Sequence, residues 1–214
     1  MLKDVLDTVK TLGKNAIYSK MVNFGDEFFI LTHRIADKNK PTRHDDIVEY
    51  KDNTYLFSLY DLSGLNKIAE AHVSLGKVDR YLRRMKRCGI EPVANKVVYL
   101  EYIFVEEPYQ NRGIGGMLLN CVIEDMRVYA REKNIPFNII LETVHGPQAD
   151  SFYSKWKAED YQQYGEFYFL IIKNPVVQKK YAYKKVCHLK VLTSKNKYPF
   201  EAIKKSEIIC EREQ

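Results

Sequence analysis

The stretch 96–106 constrains the fold more than any other part of this chain. Its heart, Val97-Val98-Tyr99-Leu100-Glu101-Tyr102-Ile103-Phe104-Val105, lacks the alternation of a half-exposed strand and predicts a strand buried on both faces. It leads into Gln110-Asn111-Arg112-Gly113-Ile114-Gly115-Gly116 and then Met117, Leu118, Cys121, Val122, Met126 and Tyr129, an apolar stripe at helical spacing that continues to about Lys133. A strand covered on both sides needs sheet neighbours and helices to cover it. Residues 137–143 supply a second apolar strand, 148–157 a helix opened by Gly146-Pro147, and 166–173 a last strand, giving a β-α-β-α-β run.

What precedes this run reads as antiparallel. Residues 28–32, 47–50, 54–60 and 68–75 are rich in aromatic and β-branched side chains, and turn formers such as Lys51-Asp52-Asn53 separate them. The expected fold class is therefore mixed α/β, an antiparallel meander leading to a central mixed sheet. Residues 77–88 predict a basic helix, with Val78, Tyr81, Leu82 and Met85 on one side and Arg80, Arg83, Arg84, Lys86 and Arg87 around the other. A second short amphipathic helix is expected at 1–13, with Leu2, Val5, Leu6, Val9 and Leu12 as its stripe. Its polar face mixes acids with lysines, which favours docking on the domain over membrane binding.

With 214 residues, 45% of them hydrophobic, the chain has the size of one domain with an appendage: a domain at 1–173, most recognisable from about 54 to 173, and an extension at 174–214. No apolar run reaches the ~18 residues that span a bilayer, and residues 1–13 lack a secretory leader's unbroken apolar core, so the expected compartment is the cytoplasm. Cys88, Cys121, Cys187 and Cys210 are scattered, without the paired spacing of a zinc site or a disulfide framework, so no metal is expected.

A glycine-rich turn between a buried strand and a helix leaves consecutive backbone N–H groups at the positive end of the helix dipole, which suits phosphate or pyrophosphate. A P-loop would need Lys-Ser or Lys-Thr where this chain has Met117, and the glycine spacing departs from the dinucleotide-binding pattern. The pattern present is Q-x-x-G-x-G, set by Gln110, Gly113 and Gly115. Together with Leu141-Glu142-Thr143-Val144 and Phe152-Tyr153-Ser154-Lys155-Trp156 downstream, it resembles the GNAT superfamily of N-acetyltransferases over about residues 54–173.

That resemblance implies the GNAT fold and acetyl-CoA as cosubstrate. It implies that backbone near Phe104 and Val105 pairs with pantetheine as a further strand, while the turn Asn111, Arg112, Gly113, Ile114, Gly115 and Gly116 holds the pyrophosphate, with Arg112 adding a cation. Gln148 stands where the family usually carries a cofactor-contacting Asn. The implied reaction is acetyl transfer to the primary amine of a small molecule or peptide by direct attack; a longer acyl donor is a variant of it. The alternative is a catalytically silent CoA-binding regulatory module, or an RNA-directed member using the basic extension. Tyr153 is the implied proton donor to the leaving thiolate, with Tyr161, Tyr164 and Tyr168 as aromatic competitors. Glu142 is the leading general base. Glu101 is its rival, two positions from the glutamate of histone-type members, a shift that strand alternation would keep on one face. His145 and a water-mediated path stay open. Lys157-Ala158-Glu159-Asp160 replaces the family's Gly-Phe and predicts a lengthened loop beside the acceptor site.

The extension carries ten basic and four acidic residues, which equals the +6 of the whole chain and leaves the first 173 residues neutral. Its charges are spread among Val, Tyr and Leu, so a solvated basic surface is favoured over a nucleic-acid patch. It has too many apolar groups for a disordered arm, and a strand at 186–192 and a helix or extended segment at 199–210 are expected to pack on the domain, closing the acceptor side or making a homodimer contact.

Overall fold

The computed structural model describes residues 16–36, 54–62, 66–144, 146–164, 167–189 and 210–211. Within them ten strands form one sheet: β1 (Ala16–Phe24), β2 (Glu27–Ile35), β3 (Thr54–Asp61), β4 (Lys67–Gly76), β5 (Val97–Val105), β6 (Asn138–Val144), β7 (Glu159–Tyr164), β8 (Phe167–Lys173), β9 (Lys184–Leu189) and β10 (Cys210–Glu211). Their order is β10-β9-β1-β2-β3-β4-β5-β6-β8-β7. The helices are α1 (Asp79–Arg87), α2 (Ile114–Glu132) and α3 (Pro147–Tyr153). β5 and β6 pair in parallel and every other neighbouring pair is antiparallel, so the class is mixed α/β.

β5 is the pivot. It follows β4 down its whole length, from Gly76↔Val97 to Ala69↔Val105, and β6 follows β8 from Asn138↔Lys173 to Val144↔Phe167. β5 and β6 pair with each other only at Val98↔Ile139, Tyr99↔Ile140 and Leu100↔Leu141. Beyond Leu100 each strand stays with its outer neighbour and the two part, opening a fork in the middle of the sheet. This revises the expectation of a strand buried along its whole length: 97–100 are buried, but 101–105 are only half-buried because their partner has diverged.

A bulge marks the fork. Val73 opposes Leu100 and His72 opposes Tyr102, which leaves Glu101 as the extra residue on β5. Alternation breaks there, so Leu100 and Ile103 both pack toward α2, whereas Glu101 accepts a hydrogen bond from Ser74 on the other face. Across the bulge, alternation does not carry over from Glu101 to Ile103, whereas Tyr99 and Glu101 share the face opposite α2.

α2 begins at Gly113, whose φ of 83° is left-handed, and its N-terminal half is buried nearly all round. The sheet covers one side through residues as far apart as Val22 of β1 and Ile172 of β8. Residues 174–183 cover the other. Asn120, 1% exposed, is satisfied there in both senses: its amide donates to the Gln178 carbonyl at 2.9 Å and its oxygen accepts from the Gln178 N–H at 2.9 Å. Arg127 donates to the Pro175 carbonyl, and the Tyr183 hydroxyl donates to Glu124 at 2.6 Å. α1 covers the opposite sheet face, with Tyr81 and Met85 against Val97, Tyr99, Ile140 and Phe169.

The meander begins one strand earlier than the sequence pattern indicates. β1 contains Ser19, Lys20 and Asn23, which hide its strand character, yet Lys20 is 2% exposed and donates to the Tyr183 hydroxyl at 3.3 Å. The lengthened loop expected after Trp156 is instead strand β7, held on β8 by main-chain pairing and by the Lys173–Glu159 ion pair at 2.6 Å. The 1–13 helix, the 47–50 strand and the 199–209 segment lie outside the described residues. No described helix is long and apolar enough to cross a membrane.

Candidate active site

The fork opens into a cleft of about 900 Å³. One side is the diverged end of β5 at Ile103, Phe104 and Val105; the other is Thr143 of β6 with Pro147, Gln148, Ala149, Ser151, Phe152 and Tyr153 of α3. Gln110 to Gly116 close its base, and Phe24, Lys155, Lys180 and Tyr181 complete the wall. One cleft thus gathers Phe104, Val105, the whole turn from Gln110 to Gly116, Gln148 and Tyr153.

The turn is shaped by particular contacts. Gln110 Nε2 donates to the Val105 carbonyl at 3.0 Å and ties the loop back to the end of β5. Asn111, with φ 58°, and Gly113 are both left-handed, and the chain then enters α2 with its first-turn N–H groups unpaired within the helix. A Cβ on Gly115 would stand 3.3 Å from Phe152 and 3.4 Å from Val105, so this glycine keeps the two walls of the fork close. A Cβ on Gly116 would meet the Tyr181 ring at 2.6 Å. That glycine makes room for a side chain sixty-five residues away, which neighbouring sequence does not reveal. Arg112 is engaged by Glu27 and lies over the Tyr109 ring at 5.2 Å, so its charge is shared rather than offered whole to the cleft.

Tyr153 is 9% exposed and meets Phe152 edge-on, with ring centroids 4.9 Å apart. Burial pushes its phenol up to about 12, which keeps the hydroxyl protonated across the neutral range. Tyr161, one of its competitors, donates instead to the Glu91 carbonyl beneath α1. Tyr168 does not line the cleft, and the side chain of Tyr164 lies outside the described set.

The two candidate bases do not line the cleft. Glu101 and Glu142 are the residues that immediately follow the last β5–β6 pair, Leu100↔Leu141, so they flank the apex of the fork from the sheet face opposite α2. Glu142 is held there by Arg84 of α1 at 2.7 Å and by the Tyr99 hydroxyl at 3.4 Å. Glu101 accepts from the Ser74 hydroxyl. The basic face of α1 is correspondingly divided: Arg84 serves Glu142, while Arg83, Lys86 and Arg87 are exposed. His145 lies outside the described residues. Among the described residues no cluster of His, Cys, Asp and Glu could hold a metal ion.

The site is thus a parallel strand pair that parts beyond a bulge, with a glycine-rich helix start at the base of the gap. The profile of the Acetyltransferase (GNAT) family matches residues 36–168, more than half of the chain. The chain belongs to the GNAT acetyltransferase family. The matched span contains both sides of the fork and the glycine turn, and leaves β1, β2, β9, β10 and residues 174–183 outside. No curated protein sequence matches this GNAT chain. Solved structures similar to it include a bacterial toxin (19% identity, 56% of this chain and 68% of that one, TM-score 0.42). A GNAT-family protein from Desulfovibrio desulfuricans matches at 14% identity over 57% of this chain and 69% of that one, with a TM-score of 0.41. A GNAT acetyltransferase from Listeria monocytogenes matches at 12% identity over 71% of this chain and 98% of that one, also at 0.41.

Proposed function

We propose that the chain transfers an acetyl group from acetyl-CoA to the primary amine of a small molecule or peptide. The observation that carries this reading is the fork itself. Past Leu100 and Leu141 the facing edges of β5 and β6 have no sheet partner in each other, so an extended amide-bearing chain can insert between them and pair with backbone. At the base of the same gap, the Asn111–Gly116 turn and the start of α2 present N–H groups to a pyrophosphate. Pantetheine and diphosphate occur in that order in coenzyme A, which supports this reading.

In this reading the amine approaches from the face opposite α2 and attacks the thioester carbonyl at the apex of the fork. A C–N bond forms and the C–S bond breaks; the amine loses a proton and the departing thiolate gains one. Tyr153, protonated and beside the gap, donates to the thiolate. Glu101 is the better placed acceptor for the amine proton, directly or through a water, because Glu142 is committed to Arg84. Glu142 then acts as a structural anchor between α1 and β6. The exposed Arg83, Lys86 and Arg87 favour a second reading, in which the amine is presented on an acidic carrier such as an RNA.

Acetyl-CoA should raise the melting temperature, since a ligand that binds only the folded state stabilises it by RT ln(1 + [L]/Kd). Gly115→Val places a branched side chain between Phe152 and Val105 and should abolish that shift while leaving a cooperative unfolding transition. An undiminished shift in the folded variant would remove the site assignment. Thiol release from acetyl-CoA over a panel of amines tests the transfer.

A further inference from the structure

We propose that residues 174–183, beyond the family match, supply a recognition site for the 3′-phosphate of coenzyme A, with Lys180 and Lys155 as its cations. This rests on the acetyl-CoA reading above and adds a specificity device to it. Among the described residues, the side chains lining the cleft include three cations, Arg112, Lys155 and Lys180, and no carboxylate. Arg112 is already paired with Glu27. Lys155 and Lys180 have no carboxylate partner among the described residues; both are exposed, and each ammonium lies 5.9 Å from the centre of the Tyr181 ring.

Both lysines line the one cleft and flank the Tyr181 ring, although they come from different parts of the chain. Lys155 lies in the turn that follows α3. Lys180 is delivered by the extension, fixed two residues earlier by the paired Asn120–Gln178 hydrogen bonds and one residue later by Tyr181, which stacks on Trp156 with centroids 5.4 Å apart and an 18° tilt. Coenzyme A carries two separate anionic groups. The loop amides of 111–116 suit the diphosphate, in which the charge is spread along a chain approached by backbone. A terminal phosphomonoester is a compact dianion, which two ammonium groups at the cleft wall match as point charges.

The test is calorimetric titration of the full chain with CoA and with 3′-dephospho-CoA at low salt. The unmodified protein should bind CoA about tenfold more tightly, a preference of ~1.4 kcal/mol. The Lys155→Ala/Lys180→Ala double variant should lose that preference through weaker CoA binding alone, with 3′-dephospho-CoA unaffected. Lys179→Ala, exposed and outside the cleft, should change neither. Equal affinity of the unmodified protein for the two ligands, or equal weakening of both in the double variant, would overturn the assignment and leave the acetyl-CoA reading standing. Failure of the unmodified protein to bind either ligand would overturn both.

Discussion

Gly116 offers the sharpest test of how the extension and the glycine turn depend on one another. Its backbone is helical, so alanine meets no torsional objection, and in an exposed helix the change would stabilise by up to about 1 kcal/mol. Here the new Cβ would lie 2.6 Å from two atoms of the Tyr181 ring and 2.8 Å from a third. Unstrained carbon contacts fall at about 3.5–4.0 Å, so the ring must retreat by about 1 Å. It cannot do so freely, because it is stacked on Trp156, itself 4% exposed. Overpacking of this kind costs about 1–3 kcal/mol, and after the gain in helix propensity the net loss for Gly116→Ala should lie between about 0 and 2 kcal/mol. In a Tyr181→Ala background the obstruction is gone and the same substitution should become neutral or stabilising. Urea unfolding followed by circular dichroism on the four members of the cycle measures the coupling directly, and a sign reversal is the expected result. Equal destabilisation by Gly116→Ala in both backgrounds would show that the glycine does not serve Tyr181.

Tyr153→Phe removes one hydroxyl at the fork and should lower kcat by ~10- to 10³-fold with little change in acetyl-CoA Kd; an unchanged kcat would reduce Tyr153 to a ring packed on Phe152. Glu101→Gln should lower kcat by ~10²-fold or more, whereas Glu142→Gln should mainly cost stability, about 1–3 kcal/mol, by leaving Arg84 unpaired; the reverse ranking in a paired assay of turnover and urea midpoint would exchange their roles. Stability should also fall in acid through Glu70. Burial alone would raise its carboxyl, but hydrogen bonds and charge from His72 and Lys67 outweigh that and hold it down to about 2. Its stabilisation is therefore complete above the ordinary value of 4.5 and is lost as pH falls toward 2, at most about 3 kcal/mol. Unfolding midpoints at pH 6 and pH 3 should converge between the unmodified protein and Glu70→Gln as the pH drops; parallel curves would refute the linkage.

Local sequence already contained the pieces that depend on local rules. A near-continuous apolar run makes strand β5, buried over its first four residues, apolar residues at helical spacing make α2, and a glycine at the junction permits the left-handed turn at Gly113. Pattern also located α1 and β8, and Pro147 marked the opening of α3. What it could not contain were relations between distant segments. The bulge at Glu101 reverses the facing that simple alternation assigns, because register is settled by pairing with β4 rather than by β5 itself. Glu142 reads as an unexplained acid on an apolar strand until α1, fifty-eight residues earlier in the chain, brings Arg84 to it. Trp156 is followed by a strand, not a loop, because β8 offers an edge that Glu159–Tyr164 can pair with. Gly116 reads as an opening for an anion, yet its missing side chain is filled by Tyr181. The sequence alone determined the elements with strong local patterns, β5, α2, β6 and α1 among them, and where an anion can approach a helix. The tertiary structure decided which side chains face the fork, since facing and partnership are set by contacts whose two halves are far apart along the chain.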